Sequence, residues 1–306
     1  MYRIPIKINP YQLNDDSGTL GMSYILKSIH DSDLFDVSWH DELMDVGRGC
    51  RATILQVEDK KIYLDFWEYS CPTYTSTIVN HNFDLIIKLQ HNNIGFNKAW
   101  EYLVRKGMFP ADTKEKVEPF YAKICPWTFF PSKNMMQYIG KEDQLWNHDI
   151  STMGFFCGKM WKSRGPMKKY LRNNNIEILS SDQGLRHGKT LTDEVFIKKM
   201  LESKYGIVLC GKSIAITDAK NRREIDYMMM KKPLLLNYKP FYYDPLIEGK
   251  HYIFLNENTQ LDKIESCCNI DEMVENAYEW YLRNASPHGV ALSLKKLLKE
   301  KLNIGE

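Results

Sequence analysis

Residues 204–212 read K-Y-G-I-V-L-C-G-K, residues 218–238 read D-A-K-N-R-R-E-I-D-Y-M-M-M-K-K-P-L-L-L-N-Y, and residues 249–255 read G-K-H-Y-I-F-L. Two apolar runs in this text, Ile207 to Cys210 and Leu234 to Leu236, are short, unbroken and rich in branched side chains. That pattern belongs to parallel strands buried on both faces. Between them the sequence predicts a helix that begins at Arg222, Arg223, Glu224 and Asp226 and stops at Lys232-Pro233. Charges of both signs at a helix start beside strand ends suit a ligand with phosphates and sugar hydroxyls. A guanidinium grips phosphate at two points, and a carboxylate accepts from two hydroxyls. Glu224 faces another way round the helix from Asp226 and reads nearly as well as a surface residue.

Outward from this segment, the second half of the chain continues the same alternation. A strand is predicted from Met153 to Cys157, a helix from Pro166 to Asn173, a strand from Ile176 to Leu179 and a helix from Thr192 to Lys204. Two helices, Ile270 to Asn284 and Val290 to Leu302, close the chain and are placed to cross back onto the first half. In that first half, strands fit residues 2–8, Ala52 to Val57, Lys61 to Phe66 and Phe83 to Leu89, with helices from Thr19 to Ile29 and Asn97 to Lys106. The expected fold class is α/β, with two Rossmann-like domains facing a cleft. We place the domains at 1–148 and 149–306, joined through the aromatic, proline-containing text from Pro126 to Asp149.

Bulk composition narrows the function classes. At 306 residues the chain has room for two ordinary domains. Lys+Arg 41 against Asp+Glu 39 gives a net charge of +2, so no overall field points to nucleic acid. No stretch approaches the roughly 20 apolar residues of a membrane helix, and the N-terminus is too short and polar for a signal peptide. Seven scattered cysteines, none in CxxC spacing, suit neither a disulfide ladder nor zinc. The expectation is a soluble, cytoplasmic protein in a reduced compartment.

The order R-x-x-[acidic]-x-x-x-x-x-x-P-L-L-L, here Arg223, Asp226 and Pro233 to Leu236, resembles the donor-binding half of GT-B glycosyltransferases, above all the exostosin-like and CAP10-like groups. Those groups often carry Glu where this chain has Asp226. The resemblance runs through His251-Tyr252-Ile253-Phe254 to Ser286-Pro287-His288-Gly289, about the last half of the chain. It is greatest to the compact glycosyltransferases of large algal viruses, some of which transfer xylose. It implies a donor site in the second domain, an acceptor site mostly in the first, and a host-cytoplasmic setting if the source is viral. A UDP-sugar, UDP-xylose first, is the implied donor, and an oligosaccharide or glycoprotein glycan the acceptor. No cofactor or catalytic metal is required in that reading.

Other residues join the donor site as candidates. Gly158-Lys159 with Arg164 follows a strand end, where backbone N–H groups and a nearby helix start receive anions. Gly211-Lys212-Ser213 follows the Ile207–Cys210 run at the position where α/β sheets present ligand loops. Tyr252, beside His251, is placed to touch the donor. For the base that deprotonates the acceptor, Asp65 at a strand's carboxyl end comes first, with Phe66, Trp67 and Tyr69 as a sugar-stacking wall. Asp16 and His91 follow. Each also has a plain reading as a cap, turn or solvated charge. No GxGxxG or Walker A pattern is present, and Asp31-Ser32-Asp33 reads as a solvated turn rather than a metal motif. Two other classes remain open: a sugar-nucleotide enzyme of another reaction type, and a non-catalytic glycan-binding protein using residues 63–74.

Overall fold

The computed structural model describes residues 3–8, 20–40, 52–66, 75–89, 100–101, 103–105, 113–157, 165–179, 192–210 and 222–305. Its elements form two sheets. The first contains β1 (Ile4–Ile8), β2 (Phe35–Trp39), β3 (Ala52–Val57), β4 (Lys60–Asp65), β5 (Leu85–Lys88) and β6 (Ile124–Pro126), in the order β2-β1-β3-β4-β5-β6. Helices α1 (Leu20–His30), α2 (Thr75–His81) and α3 (Thr113–Val117) accompany it. The described residues of the helix predicted from Asn97 to Lys106 (100, 101 and 103–105) are helical.

This sheet is mixed. β1 pairs parallel with β2, and β4, β5 and β6 run parallel. β3 is antiparallel to both of its neighbours. The cause lies in the β3–β4 connection, where Glu58 adopts a φ of 54° and the chain reverses between Val57 and Lys60. A crossover helix needs about a dozen residues, so that short connection forces a hairpin.

The second sheet contains β7 (Thr152–Cys157), β8 (Ile176–Leu179), β9 (Ser203–Val208), β10 (Leu234–Leu236) and β11 (Ile253–Phe254), in the order β11-β10-β9-β7-β8. Every pairing in it is parallel. Counted within the sheet this is the order 2-1-3-4-5, a doubly wound arrangement whose strand order reverses between β7 and β9. After α4 (Lys133–Met136), helices α5 (Gly165–Asn173), α6 (Asp193–Leu201), α7 (Arg222–Met229) and α8 (Ile264–Cys267) supply its layers. Met167, Tyr170, Leu171 and Ile264 pack with Phe156 and Ile207 on one face, while Ile197, Met200, Ile225 and Met228 share a cluster with Phe155 and Val208. This is the two-sheet α/β architecture predicted from the pattern.

The last two helices, α9 (Ile270–Asn284) and α10 (Pro287–Leu302), cross back as expected. Tyr24 of α1 donates its hydroxyl to the Ala285 carbonyl at 2.7 Å, and Trp127 donates its indole N–H to Ser293 Oγ at 2.9 Å. One apolar cluster therefore runs from Ile6 and Leu64 through Ile25 and Leu294 to Phe155 and Leu236. α10 begins at Pro287 rather than at Val290, because Ser286 caps it by accepting the Gly289 N–H and proline occupies the first turn. No described helix is long and apolar enough to cross a membrane.

Candidate functional site

In open α/β sheets ligands bind outside the carboxyl ends of the strands, where the order reverses. That edge is marked by Cys157 at the end of β7 and by Leu209 and Cys210 just past β9. α7 is pressed against this part of the sheet by a glycine. A Cβ on Gly206 would fall 2.4 Å from the Tyr227 ring, so only glycine lets Tyr227 lie across β9 and donate its hydroxyl to the Phe155 carbonyl at 3.2 Å. Gly206 in the K-Y-G-I-V-L run is thus the seat of α7.

The first turn of α7 carries the predicted cations. The half-buried Arg223 guanidinium lies 5.5 Å from the Phe196 ring centroid and 6.0 Å from that of Phe156. It sits beside the end of β7, close enough for its charge to pull the Cys157 thiol down against the larger upward effect of burial. Arg222 is exposed, with its guanidinium 5.4 Å from the Phe130 ring centroid. Phe130 in turn covers Gly21, where a Cβ would come within 1.9 Å of the ring. Hence the first turns of α1 and of α7 meet the same aromatic ring, one from each sheet's helical layer.

Asp226, one turn further along α7, is fully buried. Its Oδ1 accepts the main-chain N–H of Ser132 at 2.8 Å; the Ser132 hydroxyl lies near the carboxylate without a well-aligned hydrogen bond, and Oδ2 has no partner among the described residues. Burial pushes its pKa up to about 6, opposed by the Ser132 amide and hydroxyl and by the nearby Arg223 and Arg222. As found, this carboxylate braces the segment that joins the sheets. Oδ2 is left for a further donor.

Glu224 corrects the surface reading, since it is 0 % exposed. It accepts hydroxyl hydrogen bonds from Tyr238 and from Tyr242, the latter at 2.6 Å. Burial and the Glu224 charge together hold both phenols well above their ordinary pKa. Asn237, directly after the L-L-L run, accepts the Cys210 N–H through Oδ1 at 2.7 Å and so ties the end of β9 to that of β10. Sequence reading missed Ser132, Asn237 and the two tyrosines. An Asn immediately after a buried strand was the one available signal.

Asp65 is the last residue of β4, as predicted for a strand end, but it is 0 % exposed and forms an ion pair with Lys88 at 3.1 Å. Asp65 and Lys88 are directly paired across β4 and β5. Both lie on the Tyr63 and Ile86 face of the sheet, opposite Ile62 and Leu64, which look toward α1. To take a proton from an acceptor, this carboxylate would have to leave the lysine. Phe66 packs against the core and Tyr63 is fully buried, so of the aromatic stretch these two offer no open stacking wall. Tyr252 is 2 % exposed, packed under its loop rather than presented to a cleft. His251 is buried too, its Nδ1 accepting the Ile247 N–H at 2.8 Å. Asp31 ends α1 in an exposed turn and pairs with Lys27. Asp16, Gly158, Lys159, Arg164, Lys212, Ser213 and His91, together with Trp67 and Tyr69, lie outside the described residues.

No family model matches the chain, and no curated protein matches it. Among solved structures, a glycosyltransferase from Rickettsia africae ESF-5 is similar over 79% of this chain and 71% of its own, at 15% identity and a TM-score of 0.34. The pneumococcal O-GlcNAc transferase GtfA, in complex with UDP and GlcNAc, is similar over 85% of this chain at 10% identity and a TM-score of 0.34. The chain spans only 64% of that enzyme's length.

Proposed function

We propose that the chain is a glycosyltransferase that binds a nucleoside-diphosphate sugar at the carboxyl edge of the second sheet and passes the sugar to a glycan hydroxyl. The observation that carries this reading is the seat of Arg223 beside the end of β7, at the reversal of strand order, with Arg222 on the same helical turn. Two guanidinium groups there would neutralise the leaving diphosphate, the charge stabilisation that a metal supplies in other transferases. Lys159 and Arg164, which follow β7 in sequence, and Lys212 and Ser213, which follow β9, are the further phosphate ligands of this proposal. Asp226 would offer Oδ2 to a ribose hydroxyl once the Ser132 segment draws back.

The acceptor belongs to the first domain, residues 1–148, and the donor to residues 149–306. Asp65 is the proposed base, with Asp16 as its alternative. A single displacement with one base inverts the anomeric centre. UDP-xylose is the first donor to try, and a UDP-sugar needs no further cofactor in this scheme. Incubation with UDP-sugars and a glycan panel, with product NMR, tests it: a new glycosidic linkage with inverted configuration is expected. Donor hydrolysis with no acceptor dependence would replace transfer by another sugar-nucleotide chemistry.

A further inference from the structure

A second site lies away from the arginines, on the α5 side of the second sheet. There the carboxyl-terminal half of α5 and the 257–262 loop border an open groove of about 550 Å³, lined by Asn173, Asn174, Glu257, Asn258, Gln260 and Asp262 together with Lys169, Tyr170 and Thr259. The volume falls in the range of small-ligand sites, roughly 300–1,000 Å³, but those sites are mostly apolar. Here the lining is mostly polar and Tyr170, itself largely buried, is the one aromatic side chain in it, so a hydrocarbon ligand has little to bury against. Two carboxylates against one lysine make the groove net negative, which disfavours a phosphate.

We infer that this groove binds a neutral oligosaccharide. A carboxamide presents two donors and an acceptor in one plane, and a sugar hydroxyl both donates and accepts, so vicinal hydroxyls match amides and carboxylates in pairs. The wall that carries them is already fixed. Asn256 and Thr259 close a turn through Thr259 N–H to the Asn256 carbonyl at 3.2 Å and Asn256 N–H to Thr259 Oγ1 at 2.9 Å. The Tyr170 hydroxyl clamps that turn to α5 through the Thr259 carbonyl at 2.6 Å, and Asn174 is held by the Tyr170 carbonyl at 2.9 Å. The exposed amides of Asn173, Asn258 and Gln260 stand on this frame, open to a ligand. A frame ordered by folding lowers the entropy a ligand must lose to bind.

The site stands independently of transfer chemistry, since a saccharide would bind here whether or not the arginines hold a nucleotide. Titration of the full, isotope-labelled chain with maltose, cellobiose and xylobiose, followed by NMR of side-chain amides, tests it. At least one sugar should shift Asn173, Asn258 and Gln260 in a saturable manner, with UDP leaving them unmoved. The double variant Asn173→Ala/Gln260→Ala should lose affinity by about tenfold or more while keeping the wild-type melting temperature. No shift with any of the three sugars up to their solubility limits would overturn the assignment. So would unchanged affinity in the double variant, or displacement of the sugar by UDP.

Discussion

Asp226 on α7 accepts the main-chain N–H of Ser132 at 2.8 Å, across 94 residues of sequence. Ser132 belongs to the stretch that carries the chain from β6 into α4, so this bond ties the arginine-bearing helix to the connection between the sheets. A buried carboxylate with one paired oxygen is costly, and its cost depends on charge.

The sign of the pH dependence follows. Folding raises the Asp226 pKa from 3.8 to about 6, so between those values the folded chain holds a proton that the unfolded chain releases. This contribution is fully present below 3.8 and is lost as pH rises through about 6. Asp226→Asn keeps the acceptor for Ser132 and removes the charge. Denaturation at pH 7 and pH 4 should show the variant gaining stability at pH 7, on the order of 3 kcal/mol, and gaining little at pH 4. An equal effect at both values would mean that the carboxylate is not desolvated.

His251 carries the opposite sign. Burial, aided by Lys250 and Arg283, pulls its pKa down to about 4 from 6.5. The unfolded chain therefore binds the proton first, and the stability that the neutral ring contributes, full above 6.5, is lost as pH falls toward 4. In His251→Asn the fall in melting temperature between pH 7 and pH 5 should be shallower than in wild type.

Glu224 anchors the same helix to the loop after β10. Glu224→Gln gives one tyrosine a donor where it needs an acceptor, and urea denaturation should register a loss of about 1–3 kcal/mol. Tyr238→Phe/Tyr242→Phe should cost more, because it leaves a buried charge without those two donors.

Asp65 and Lys88 separate a structural ion pair from a catalytic base. Lys88→Met removes an ionic partner of a fully buried carboxylate and should destabilise by up to about 3–5 kcal/mol, whereas Asp65→Leu/Lys88→Met should recover part of that loss. If Asp65 is also the base, folded Asp65→Asn protein should bind UDP normally and fail to transfer. Turnover near the wild-type rate would move the base to Asp16 or His91.

β3, β8 and β10 have the predicted limits; β10 is an uninterrupted buried apolar run, whereas β3 carries Thr53 and Gln56 and the edge strand β8 carries Glu177, and both were legible from their branched residues alone. β9 was predicted at Ile207 to Cys210 but spans Ser203–Val208. Its polar start is hidden in composition and becomes strand by pairing, with Ser203 opposite Thr152 of β7. β2 escaped notice because F-D-V-S-W is an edge strand with Asp36 and Ser38 exposed. Within the candidate site, the arginine pair at the start of α7 could be read from the chain, since helix starts have local signals. The Ser132–Asp226 bond and the Asp65–Lys88 pair could not, because both depend on which distant segments pack together. Sequence periodicity carries no such information.

In the proposed transferase, Arg223 at the carboxyl edge of the second sheet receives the nucleotide's diphosphate. Calorimetric titration of UDP into the wild-type chain and into Arg223→Ala tests it most directly. Saturable binding to wild type is expected, with a loss of affinity of about tenfold or more in the variant, equivalent to at least about 1.4 kcal/mol, and the melting temperature of the free protein little changed. Equal UDP affinity in the two proteins, or none in either, would contradict it.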